Sequence, residues 1–177
     1  MRLRWKVSRK GLCAVATATR FGLLAGLVFG AVGAARGQDQ GAVTPKDTIY
    51  ARKVLMDAID ENMNAIETAV NSGQSIDLDR LEPQADTISA MLMAFPHLFP
   101  PSTNQWKPNA ERDPARDTYG SPDIWNKFSD FYRQASAASK LAYNASRAKQ
   151  QGDFVKSIAS LRTACNACHA DYLKTDQ

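Results

Sequence analysis

Over 177 residues the chain carries 22 Lys and Arg against 18 Asp and Glu, with 44% hydrophobic and 8% aromatic residues, which is the extent of one domain with an appendage. Seven of the basic residues and none of the acidic ones fall in residues 1–37, leaving 15 against 18 and a formal charge of −3 in the remainder. The formal +4 of the whole is therefore no argument for nucleic-acid binding, and no nucleic-acid partner is expected.

The chain begins with Arg2, Arg4, Lys6, Arg9 and Lys10, followed by an apolar run from Phe21 to Ala35 in which Gly33 and Ala35 flank a small-residue cleavage point. That order predicts a secretory signal peptide over residues 1–37, cleaved near Ala35 to Gly37, and a mature domain over 38–177. The alternative is an uncleaved anchor counted from Gly11, but Arg20 interrupts it, so no stable membrane anchor is expected after cleavage. In a bacterium the destination is the periplasm. Cys13 leaves with the signal, and only Cys165 and Cys168 remain.

Thr44, Pro45 and Asp47 supply an N-cap, a first helical position and a capping-box acid. Ile49, Met56, Ile59, Met63, Ile66 and Val70 then recur at helical spacing with Arg52 on the same stripe, which predicts a first helix from about Pro45 to Ser72, ended by Gly73. A second helix is expected from Asp77 or Asp79 to about Phe95, with Leu81, Ile88, Met91, Leu92 and Phe95 inward and Pro83 marking a late start or a kink. Residues 96–120, rich in Pro, Asn, Asp and Arg, read as a long wrap over one end of the domain.

Ser121 is expected to cap a third helix that buries Trp125, Phe128, Phe131 or Tyr132, then Ala135, Ala138 and Ala142, and closes at Gly152. Asp153 is expected to cap the last helix, whose stripe of Phe154, Ile158, Leu161, Cys165, Cys168 and Tyr172 turns both thiols toward the core. Four amphipathic helices without a strand signal predict an all-α fold, an antiparallel four-helix bundle.

Cys165, Asn166, Ala167, Cys168 and His169 form the attachment pattern of a covalently bound c-type haem. Each thiol adds to one porphyrin vinyl group, and the adjacent imidazole becomes the proximal iron ligand. A redox dithiol would sit in a βαβ setting, which is missing here, and zinc would need a ligand set that the remaining His97 does not complete.

These residues resemble the class II cytochromes c, the cytochrome c′ family, whose members are known four-helix bundles. The likeness rests on the haem motif at the C-terminus and on Arg52 followed by Met56. It extends to Leu98-Phe99-Pro100, to Ser121-Pro122-Asp123-Ile124-Trp125, and to the closing His169-Ala170-Asp171-Tyr172. The resemblance implies that residue 56 lies over the distal haem face, that Arg52 meets a propionate with Lys53 beside it, and that Thr103 approaches the haem edge. A methionine there resembles the low-spin members, with His169 and Met56 as metal ligands. An antiparallel register favours Met56 over Met63, which lies about 10 Å deeper, and the alternative is a methionine that fills core space. Leu173 stands where the family often has an arginine, which puts the proximal gas chemistry of high-spin members in doubt.

The expected function is thus electron transfer between exported redox partner proteins by one covalent haem c, as a monomer or homodimer and not as an enzyme. The alternative is a five-coordinate, high-spin iron that binds nitric oxide or carbon monoxide. Peroxidase chemistry would need a distal histidine, and none can be assigned.

Overall fold

The computed structural model describes residues 42–174, so the signal peptide and its cleavage point lie outside the described residues. The helices are α1 (Pro45–Asn71), α2 (Leu78–Ala94), α3 (Asp123–Asn126), α4 (Phe128–Ser146) and α5 (Gln151–Tyr172). Among the described residues the extended pairing is a single antiparallel bridge between Gly120 and Leu173. The four long helices form the all-α bundle.

Helix α1 starts where its capping box predicts. The Thr44 hydroxyl accepts from Asp47 N at 3.2 Å, and the Asp47 carboxylate accepts from Thr44 N at 2.9 Å. Ile49, Arg52, Ile59, Met63 and Ile66 are buried along its inner stripe. Helix α2 is capped by Asp77, whose side chain accepts from Arg80 N. Pro83 does not delay its start, because the helix begins at Leu78.

The third predicted helix is two. Lys127, at φ −125° and ψ 39°, separates α3 from α4. In one unbroken helix Trp125 and Phe131 would diverge by about 120°. With the break, the Trp125 indole N–H donates to the Phe99 carbonyl at 3.1 Å, and Phe131 enters a hydrophobic cluster with Phe99, Ile124 and Tyr172. Phe128 and Tyr132, expected as inward candidates, are exposed as a result.

The other end of this helix also needs correction. Helix α4 stops at Ser146, not at Gly152, and α5 begins at Gln151 with Gly152 in its first turn. Turning early lets Ala148 tuck into the core, and the Ser146 hydroxyl is taken up by Tyr143 O and Asp86. Asp153 therefore sits inside the first turn, at the positive end of the helix, and does not cap it.

Small residues bring α2 and α4 close together. Ala85, Ala138, Ala142 and Ala145 are buried, and the Ser139 hydroxyl donates to Ser89 O at 2.8 Å. Helices α1 and α5 are joined by a bidentate pair in which Arg162 donates twice to Glu67, at 2.7 Å each. Beyond that pair, toward the C-terminal end of α5, a cavity opens.

Candidate functional site

The cavity has a volume of about 580 Å³, within the range of small-molecule and cofactor sites. Its walls are drawn from Ile49 to Met63 of α1, Phe131 to Ala138 of α4, Arg162 to Tyr172 of α5 with Leu173 just after it, Leu92 and Phe95, and the returning loop at 114–120. Most of these side chains are apolar.

Helical spacing on α5 puts Cys165, Cys168 and His169 on this wall. Both thiols are half-buried and unpaired by any disulfide. Burial raises both of their pKa values, that of Cys168 to about 11. Such thiols are poor nucleophiles as a free dithiol, which argues against a redox-exchange role. His169 faces the open cavity and is exposed there. Desolvation first, and then Arg162, still holds its imidazole below the ordinary histidine value, against the opposing pull of Asp60. A neutral imidazole is the form that ligates a metal.

Across from α5, both Met56 and Met63 line the cavity. Met63 is buried in the main core with Ile59 and Ile66, whereas Met56 is half-buried. Depth along α1 thus does not by itself keep Met63 off the wall; what separates the two is that Met63 is already packed as core.

Arg52 is only 5% exposed, and no carboxylate among the described residues pairs with it. Burial pulls its pKa down to about 10. Its Nη1 donates to Thr103 Oγ1 and its Nη2 to Thr118 Oγ1, each at 3.3 Å, and the guanidinium lies 4.2 Å from the Phe99 ring centre. A buried cation supported only by neutral groups calls for an anion. Lys53 also lines the cavity, with its amine 4.4 Å from the centre of the Tyr119 ring. Desolvation lowers its pKa, while Asp57, Asp117 and Asp113 oppose that shift.

Thr103 is fully buried behind Arg52 and is not among the wall residues; its hydroxyl donates to Pro100 O at 2.8 Å. In this position it supports the guanidinium from below. His97 is exposed against Tyr132 and lies away from the cavity. Leu173 is on the wall and 41% exposed.

Several contacts around the cavity escaped the sequence reading. Tyr172 closes the floor, and its hydroxyl donates to Asp130 at 2.7 Å. That bond, followed by those from Arg133 and Gln134, pulls the Asp130 carboxyl down to about 2, and Tyr172 rises to about 12 through burial first and Asp130 second. The loop is stitched to the end of α5, with Ser121 N donating to Tyr172 O and Lys174 N to Tyr119 O, both at 2.8 Å. Gly120 sits at this seam, where a Cβ would come within 3.1 Å of Ile124. No periodicity signals such loop-to-helix contacts.

Two thiols and an imidazole on one wall, an apolar interior and a buried guanidinium without an acid fit a covalent haem with a propionate at Arg52. Residues 47–173, more than half of the chain, match the sequence family described as cytochrome c′. No curated protein matches. Among solved structures, cytochrome c′ from Thermochromatium tepidum is similar at 19% identity and a TM-score of 0.62, over 75% of this chain and 98% of the other. Cytochrome c′ from Shewanella frigidimarina is similar at 19% identity and 0.63, over 74% and 97%. A nitric oxide complex of a variant cytochrome c′ from Alcaligenes xylosoxidans is similar at 15% identity and 0.62, over 75% and 98%.

Proposed function

We propose, from the premise that this chain belongs to the cytochrome c′ family, that residues 38–177 act in the bacterial periplasm as a one-electron carrier between exported redox proteins. In this reading His169 and Met56 would hold the haem iron. Haem c, when bound, would supply an iron that changes oxidation state by one electron, and a thioether ligand would raise its potential. Cys165 and Cys168 hold it covalently, and Arg52, with Lys53 beside it, faces its carboxylates. The apolar wall formed by Ile49, Ile59, Leu92 and Phe131 keeps water from the centre. The observation that carries this reading is the half-buried Met56 thioether lining the same cavity as His169 but from the facing helix, one turn after Arg52.

A second reading is the one the comparisons favour. The similar solved structures are cytochromes c′, and one of them is a nitric oxide complex. Here Met56 only lines an open distal position that takes nitric oxide or carbon monoxide. A further similar structure is described as having ligand-controlled dimer dissociation, which supports a monomer or homodimer for this chain.

The two readings part at one bond, and visible and near-infrared spectra of the haem protein beside Met56→Ala test it. For the carrier, the wild type has a sharp reduced α-band and a weak sulfur-to-iron charge-transfer band, and both features are lost in the variant. A broad high-spin spectrum that the substitution leaves unchanged moves the assignment to gas binding.

A further inference from the structure

The hydrogen bonds around Arg52 leave the hydroxyl proton of Thr118 unspent. Thr118 is 5% exposed and stands on the cavity wall. A threonine hydroxyl has two acceptor sites and one proton to donate. Both acceptor sites of Thr118 are taken, by Arg52 Nη2 at 3.3 Å and Gly120 N at 3.0 Å. Among the described residues nothing accepts its proton. Thr103, the other support of Arg52, differs on both counts, because it donates to Pro100 O and lies off the wall.

We infer that Thr118 is a haem-binding residue, donating its hydroxyl proton to the propionate carboxylate that Arg52 attracts. The inference rests on the haem reading above and extends it to a residue on the loop. Arg52 has five N–H donors, of which two bonds to the threonines are described, so its remaining donors and the Thr118 hydroxyl together form a seat for one carboxylate. The seat is rigid. Phe99 and Trp125 hold the guanidinium at 4.2 and 5.9 Å from their ring centres, and the Gly120 amide fixes Thr118. Asp117, the nearest acid on the same loop, is occupied by Lys46 and the Asp113 amide.

The test uses holo-protein in which covalent haem has first been counted by the pyridine haemochrome assay. Thr118→Val, Thr118→Ser and Thr103→Val are compared by the propionate bending band in resonance Raman spectra and by reduction potential. Thr118→Val is expected to shift the band and lower the potential, because a propionate that loses a donor presents more negative charge to the iron and favours the ferric state. Thr118→Ser restores both, and Thr103→Val leaves the band in place. If the Val variant does not fold, Thr118→Ala removes the same hydroxyl with less bulk and is read the same way. Band and potential unmoved in a fully haem-loaded, helical Thr118→Val protein would overturn the inference. So would a Thr103→Val shift as large as that of Thr118→Val, since Thr118 would then act only by holding Arg52. A wild type that carries no covalent haem sinks the haem reading itself.

Discussion

At the scale of single residues, charge and burial conflict at Arg52, and the conflict marks the site. A guanidinium that is 5% exposed with two threonine hydroxyls for company is held at a cost that only an anion offsets. Arg52→Lys keeps the charge but loses the planar fork that reaches both threonines, so it is expected to lower the reduction potential of the haem protein and not to behave as the wild type. Voltammetry of the two proteins side by side checks this. Tyr172 and Asp130 give a second residue-scale prediction, one with a pH signature. The Asp130 carboxyl lies at about 2, below the ordinary 3.8, so its contribution to stability is fully present above the ordinary value and is lost as the pH falls through about 2. Tyr172→Phe removes the largest cause of that shift. Urea midpoints measured from pH 6 down to 2 are expected to lie below wild type at the upper end and to converge with it at the lower; a constant gap would show that the bond contributes nothing to the acid dependence.

At the scale of helices, the bundle is asymmetric. Helices α2 and α4 meet through alanines and a serine pair, while α1 and α5 stand apart around the cavity and are tied by Arg162 and Glu67. Ala142 is fully buried in the tight half. Ala142→Leu forces extra volume where the helices touch and is expected to cost about 1–3 kcal/mol, read from the urea midpoint at constant m-value. The helix boundaries show which local signals held. Capping at Thr44 and Asp77 did, because side chain and backbone within four residues decide it. The run from Ser121 to Gly152 did not. Periodicity there was averaged over a segment whose front is pinned by Trp125 to Phe99 and whose rear turns early to bury Ala148, and neither contact is local.

At the scale of the whole molecule, an apolar cavity of about 580 Å³ between α1 and α5 makes cofactor and fold interdependent. The double variant Cys165→Ala, Cys168→Ala is expected to melt well below the haem-bearing wild type in calorimetry, each kcal/mol lost lowering Tm by about 2–8 °C. Equal melting temperatures would mean that the bundle closes without haem. By itself the sequence determined the haem attachment pattern at Cys165, Cys168 and His169, the helical class, the inner stripes of α1 and α5, and the place of Arg52 and Met56 on one of them. These follow from covalent spacing and helical period, which are properties of neighbouring residues. Only the tertiary structure decided that Thr103 stands behind Arg52 while Thr118 reaches the wall, that Met63 shares the cavity with Met56, and that the Tyr172 hydroxyl on the wall is held by Asp130. The hydrogen bonds among them join residues 42 to 66 positions apart, and such pairings are set by how the helices pack and not by any pattern along the chain.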